Sequence, residues 1–548
     1  MKSLRILLSS LFILLSRSAY QQQFFVNTTT RSIQDALGRT LIFHGVNIVY
    51  KVEPYTLDIA DSEIELMKQW GFNFVRMGVM WEAVERTTKG NYNDTYLDEV
   101  EKLINKLGAN GIYTLVDGHQ DVISKRVCGE GMPVFYANDL PTKCEGGEIP
   151  LLAQDLGICK SLHDYPNIRW DADGNPNLDD CFKNNWVGYY PSPESIEIFD
   201  RLYTNKEPYN LTDAFVAYWK KVANRFASNP NVIGYDPLNE PFPSNIFTNL
   251  SLIYEPGLFD SEKLQPLYTR AFNEAYLASG DPKISFFEPS QFPDEIGILG
   301  GLVAHLGFTE VPGGAQHKNK HILNDHTYCC QLSADICASG EPPLSRAADC
   351  FEWHSKRINT RAIDAERLGV PLFISEFGDC WDNDACVAEI ESVIQLCDEV
   401  LCSGWAYWQM KNGFNPTMEP NTGAEGFFYA NGTLQNKKLK ALTHTYLQKV
   451  QGVLLYNKFY TSTSTFSARF KADVKILAQS ELYWNKGYWY PEGAIFTLSS
   501  GNKVLREGYD YTQSSANPYT IQFQIINEAL HGKIISVELV SKEVIAPQ

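Results

Sequence analysis

Glu240 and Glu376 are set apart from the chain's other carboxylates by what surrounds them. Glu240 sits in Asp236-Pro237-Leu238-Asn239-Glu240-Pro241, where a short apolar run ends in polar residues. Glu376 ends a second such run, Ile374-Ser375-Glu376-Phe377-Gly378. Two carboxyls that flank one acetal bond can cleave it. One holds a proton for the leaving oxygen, and the other stays ionised and attacks the anomeric carbon. The first needs surroundings that raise its pKa, and the second needs nearby cations or donors.

The elements that must bring the two together are legible. Eight short β-rich runs alternate with helical stretches: Leu41–Ile48, Phe72–Val79, Gly111–Val116, Val232–Pro237, Lys283–Phe287, His321–Asn324, Pro371–Ser375 and Gly404–Gln409. Apolar strands alternating with helices imply a parallel sheet covered on both faces, and eight of them imply a (β/α)8 TIM barrel. The intervening helices are read at 61–70, 96–107, 214–226, 262–278, 347–368 and 384–401, and a last one at 435–450 closes the ring. In such a barrel, chemistry collects at the C-terminal strand ends. Those ends supply Asn47 and Lys51, Arg76, Asp117-Gly118-His119-Gln120-Asp121, Asn239-Glu240, Glu288, His326-Thr327-Tyr328, Glu376 and Trp408. The fourth and seventh strands face each other across the mouth, which suits a carboxyl separation of about 5–5.5 Å and retention of configuration.

The paired motifs, in this order, resemble glycoside hydrolase family 5, over residues 40–450. Gly45-Val46-Asn47 with Lys51, then Asp117-Gly118-His119-Gln120-Asp121, look like its endoglycoceramidase branch, which more often carries Met where this chain has Gly118. The resemblance implies that Glu240 is the acid/base and Glu376 the nucleophile. It also implies that Arg76 and Tyr328 keep Glu376 ionised and oriented, and that Asn239 bonds the sugar 2-hydroxyl. His119 and His326 would line the reacting-sugar subsite, Lys51, Asp117 and Asp121 would bond sugar hydroxyls, and Trp408 would be the stacking platform. Glu288 is read as a structural carboxylate or one that stands behind the site residues. The implied substrate is a glycosphingolipid, cut between oligosaccharide and ceramide. Two other readings stay open: an endoglucanase-like polysaccharide hydrolase, and an enzyme for other glycosyl or galactosyl lipids. A lectin-like barrel would have lost one Glu.

The rest of the chain bounds these readings. The net charge of −18 argues against nucleic acid and anionic membranes as partners. No metal or cofactor is expected. The histidines form no H-x-x-x-H cluster, and Cys329-Cys330 and Cys380/Cys386 lack zinc-site spacing. Residues 1–18 read as a signal peptide: a basic start, an apolar run over 6–15 that is too short to span a bilayer, and small residues around Ser18. Twelve cysteines and five sequons, at Asn27, Asn93, Asn210, Asn249 and Asn431, fit a secreted, disulfide-bonded glycoprotein.

The barrel domain is expected over 19–451, with a long insertion at 122–211 and a second at Cys329–Cys350. Residues 452–548 lose helical periodicity and read as a β-sandwich, with strands at 464–470, 474–477, 482–490, 494–498, 519–523 and 533–539. After Glu240, Pro241-Phe242-Pro243, Ile246-Phe247 and Leu252-Ile253-Tyr254 read as an apolar wall for a lipid leaving group or as core. A monomer that touches membrane or micelle transiently is expected.

Overall fold

The structure, a computed structural model, describes residues 24–544 except 57, 145, 281–282, 292–293, 295–301, 333–341 and 413–423. The expected signal peptide, residues 1–18, lies outside the described residues.

All eight expected runs form strands: β1 (Phe43–Ile48), β2 (Phe74–Gly78), β3 (Tyr113–Asp117), β4 (Val232–Asp236), β5 (Ile284–Phe287), β6 (His321–His326), β7 (Leu372–Glu376) and β8 (Gly404–Tyr407). They pair in parallel in chain order, and β8 closes on β1 to complete the barrel. The register sets Asp117 beside Asp236 and His326 beside Glu376. Polar strand ends therefore meet at one mouth. The opposite end is apolar, packed with Phe43, Phe74, Leu115, Ile233, Phe286 and Phe373. A second, larger core lies between strands and helices. The helix Asp94–Gly108 shows why it forms. Asn93 caps it by accepting from Tyr96 N, and Leu97, Val100, Ile104 and Leu107 bury one stripe.

The final expected helix, 435–450, is corrected by the structure. Helix stops at Leu442, and Tyr446–Val450 is a strand. The spacing of Leu439, Leu442, Tyr446 and Val450 mimics a helical stripe, but pairing with Thr40–Leu41 and Ser480–Tyr483 decides the outcome. Tyr446 stacks on His44 with ring centroids 3.5 Å apart.

The C-terminal unit is a two-sheet sandwich. One sheet runs in the order 24–27, 32–35, 40–41, 446–450, 480–483, 520–525, 511–517, and the other 452–460, 465–472, 534–541, 494–500, 503–504. They enclose a shared core that includes Phe466, Phe470, Leu482, Phe523 and Val537. One expected strand fails, and another, 482–490, is strand only at its start, within Ser480–Tyr483. Residues 474–477 form turns, with Leu477 exposed, and 486–489 form a helical turn. The N-terminal strands belong to this sandwich and also seal the barrel floor, where Phe24 packs edge-on against Tyr113 at 4.9 Å.

Both insertions are disulfide-tied, by Cys128–Cys181 and Cys144–Cys159 in the first and Cys329–Cys350 in the second; Cys380–Cys386 and a bridged Cys330 add to these. Cys397 and Cys402 are free and buried. No helix among the described residues is long and apolar enough to cross a membrane.

Candidate active site

Glu240 is reached by a strained backbone. Its φ is +38°, in the left-handed region, and a residue before proline is normally pushed to extended φ. Gln120 holds this turn: its Nε2 donates to the carbonyls of Asn239 (2.6 Å) and Glu240 (3.1 Å). Strain on the order of 1–3 kcal/mol persists only where neighbours over-determine it. Glu376 needs no such turn, because it is the last residue of β7.

Glu240, His326 and Glu376 each place one side-chain atom within 4.8 Å of the others. The two carboxylates therefore share one pocket mouth. That spacing is shorter than the about 6.5–9.5 Å that leaves room for an inverting water.

The two carboxyls differ in their partners. Tyr328 Oη donates to Glu376 Oε1 at 2.8 Å, and Arg76 Nη1 donates to Oε2 at 3.1 Å. Burial raises the Glu376 pKa, and the charged Arg76 guanidinium opposes that rise. Among the described residues, no lysine or arginine pairs with Glu240. Burial and the charge of Asp121 push it up to about 7, so it holds a proton near neutrality. Its Oε1 lies 2.8 Å from His326 Nδ1, and His326 Nε2 lies 3.0 Å from Ser375 Oγ. Burial lowers His326 to about 4, so it is neutral.

Arg76 is the hub. Its guanidinium also bonds Asp236 (3.0 Å), Asp117 (3.0 Å), Asn239 (2.8 Å) and Asn47 (3.3 Å). Burial works against its charge, but the surrounding carboxylates outweigh this and raise its pKa. His119 Nδ1 lies 2.9 Å from Asp117. Burial disfavours its charge too, but Asp117 prevails and lifts it to about 9. Lys51 pairs with Asp121 and, at 3.0 Å, with Glu130. The Lys51 Nζ lies 5.1 Å from the centre of the Trp408 ring, and His119 stacks on the same ring at 5.3 Å. The Trp408–Gln409 peptide is cis.

The structure gathers all eleven expected site residues at one mouth, but two are placed differently than expected. Asp117 and His326 were read as sugar contacts. Both are fully buried, with Asp117 spent on Arg76 and His119, and His326 on Glu240 and Ser375. Exposure is concentrated on Glu240 (17% of its side chain), Glu376 (9%) and the half-buried Tyr328.

Sequence reasoning missed Glu130, Glu425 and the Arg357/Arg361 pair. Glu130 lies in an aperiodic insertion, and only its position between Gly129 and Gly131, after Cys128, marks a tight turn. Glu425 accepts from Trp408 Nε1 (3.3 Å) and Gln409 Nε2 (3.1 Å). Arg357 donates to the His326 carbonyl at 2.7 Å, and both arginines bond Asp325. Their i, i+4 spacing on one helix was the available signal. Glu288, read as structural or as standing behind the site residues, lies 4.0 Å from Arg76 and 3.5 Å from His326. The Gly118 departure has a local cause: a Cβ there would meet the Pro237 carbonyl at 2.7 Å and the Trp219 ring at 2.8 Å.

A closed (β/α)8 barrel with two carboxyls poised this way at its C-terminal mouth is a glycoside hydrolase. The profile of the cellulase family, glycosyl hydrolase family 5, matches residues 35–146 and 197–414, and the chain belongs to that family. The chain is 30% identical over 490 residues to an endoglycoceramidase of Cyanea nozakii, covering 87% of this chain and 88% of the relative. It is 28% identical over 497 residues to an endoglycoceramidase of Hydra vulgaris, covering 89% and 85%. Its fold is similar to that of endo-glycoceramidase II from Rhodococcus sp., solved as a ganglioside GM3 complex, with a TM-score of 0.68, 21% identity, and 93% and 98% coverage.

Proposed function

We propose that this chain is a retaining endo-β-glycosidase that cuts the bond between an intact oligosaccharide and ceramide in glycosphingolipids. The observation that carries the reading is the carboxyl pair within 4.8 Å at one mouth. The endoglycoceramidases that align along most of the chain support the substrate class.

Glu376 attacks C1 of the first sugar while Glu240 gives its proton to the ceramide oxygen. The C1–O bond breaks, ceramide alcohol leaves, and a glycosyl ester on Glu376 remains. Glu240, now ionised, takes a proton from water, and the oxygen of that water displaces Glu376 from C1. Two inversions give net retention. Arg76 and Tyr328 steady the departing carboxylate at each exchange. Lys51 and Asp121 are positioned to meet sugar hydroxyls, with Trp408 beside them. We place the enzyme outside the cell as a monomer. The disulfides in both insertions and the exposed sequon residues Asn249 and Asn431 support secretion.

Incubation with a ganglioside in detergent tests the substrate, and NMR of the released sugar tests the stereochemistry. Intact oligosaccharide with an initial β-anomer is expected. Single sugars trimmed from the outer end, or an initial α-anomer, would refute the reading. Glu376→Gln should lose at least about 10³-fold in kcat while staying folded.

A further inference from the structure

Five large apolar side chains stand in solvent on one short element of the first insertion: Ile149 (48% exposed), Leu151 (56%), Leu152 (58%), Leu156 (64%) and Ile158 (54%). They lie on the helix Glu148–Asp155 and the turn after it, in a loop closed by Cys144–Cys159. The helix buries its other side, through Pro150 and Ala153. Pro150 and the disulfide line a cleft of about 380 Å³ together with Asn245 and Phe247. A short surface helix ordinarily turns polar residues outward. Here both sides are apolar, and a clustered apolar face of this kind marks an interaction surface.

Its location narrows the partner. The element rests on residues 245–248, and a Cβ on Gly146 would meet Thr248 Cγ2 at 2.5 Å. That segment starts five residues after Glu240, which in the reading above gives its proton to the leaving group. Leu250 (37%) and Tyr254 (60%) of the same segment extend the apolar exposure. Charge along the element is slightly acidic in sequence, with Lys143 and Lys160 against Glu145, Glu148 and Asp155. Neither a polybasic cluster for anionic lipid nor a complementary charge for a protein partner is present there. Residues 148–158 also lie between the two stretches matched by the family profile, so they are an addition to the shared barrel.

We propose that residues 146–158 dock on a zwitterionic phospholipid surface and set the leaving-group side of the mouth against it. This rests on the reading that the leaving group is ceramide, a lipid that sits in such a surface. The disulfide holds the apolar face outward before any lipid is met, so little ordering cost accompanies docking. Interfacial elements of this type bind in proportion to the apolar area they bury.

The test uses the full chain and phosphatidylcholine vesicles that contain no glycolipid. Wild type should float with the vesicles, and Leu151→Ser/Leu152→Ser/Leu156→Ser should bind at least about tenfold more weakly. Turnover of a soluble aryl β-lactoside should stay within about twofold, which shows that the variant is folded and its site intact. Ganglioside cleavage in vesicles should fall with binding. In Leu152→Trp, indole emission should move to the blue as vesicles are added. Equal flotation of the triple variant, or emission that ignores lipid, overturns the proposal. So does a wild-type dimer that the triple variant splits, with the emission following protein concentration, because the face then belongs to a second copy. The two readings fail separately. Flotation without glycan release from ganglioside in detergent leaves docking standing and removes the substrate. Release in detergent without flotation does the reverse.

Discussion

His326 Nδ1 lies 2.8 Å from Glu240 Oε1 while its Nε2 lies 3.0 Å from Ser375 Oγ, so one neutral ring ties Glu240 to the strand that carries Glu376. A ring that donates from Nδ1 to Oε1 and accepts from Ser375 leaves Oε2 of Glu240 to carry the acid proton toward the leaving group. His326→Ala should therefore slow substrates with alkyl alcohol leaving groups by about 10²-fold, and activated aryl glycosides much less. Ser375→Ala should give a smaller loss with the same leaving-group pattern. Steady-state rates on a paired alkyl and aryl glycoside check this. An equal loss on both would remove His326 from acid catalysis.

Gln120 governs the same carboxyl through the backbone. Its amide bridges the carbonyls of Asn239 and Glu240, where φ is +38°. Gln120→Leu keeps the bulk and removes the two donors, so the turn should relax toward ordinary φ and swing Glu240 from its position. The expected result is a fall in kcat of about tenfold or more with KM little changed. A KM effect alone would mean that Gln120 serves binding.

The alkaline limb of the rate profile should report Glu240. Its proton is held to about 7 by burial first and by the charge of Asp121 second. Above that pH the acid is lost and turnover falls. Asp121→Asn removes a negative neighbour, which favours the ionised form of Glu240, so the limb should move to lower pH. A kcat/KM profile on a soluble aryl glycoside measures the shift. A limb that stays in place or moves upward would contradict the assignment.

Stability should depend on pH in an unusual sense. Glu82, Glu194, Asp236, Glu240, Asp379 and Asp398 are all pushed up to about 7, chiefly by burial. In the unfolded chain such groups titrate near about 4. The native state thus binds more protons between about 4 and 7, and stability declines as pH rises through the folded values. His321, His326 and His444 are held neutral by burial and act in the opposite sense, but only below about 6.5, where the unfolded chain protonates them. Between pH 8 and 6.5 the carboxyls are joined by His119, which Asp117 lifts to about 9 and which acts in the same sense. Acidification across that window should raise Tm by about 2–5 °C in scanning calorimetry. A Tm that is flat or falls would refute the sign.

The barrel was legible because its strands are buried on both faces and read as apolar runs, and because each strand end announces its polar residue. The same rule singled out Glu240 and Glu376, which the structure brings together, and the Arg76 and Tyr328 that bond Glu376. It could not separate residues that face the ligand from residues that stand behind them. Asp117 and His326 have the types and positions of sugar contacts, and only burial shows that Arg76, His119, Glu240 and Ser375 consume them. Glu130 was illegible for another reason. Its partner Lys51 is far away in sequence, and the insertion that bears Glu130 has no periodic pattern to place it. Tyr446–Val450 misled because two neighbouring strands recruited a stretch whose spacing is helical.

The pairing of Thr40–Leu41 with Lys449–Val450 stitches the front of the chain to its last fifth. A ribosome delivers the first partner some 400 residues before the second, at about 5–20 residues per second, so the leading hairpin emerges tens of seconds ahead of its neighbour strand. Until then the barrel floor and an open sheet edge wait together. A nascent or C-terminally clipped chain would present both to chaperones, and the barrel cannot be cut free as an independent piece without leaving that seam open.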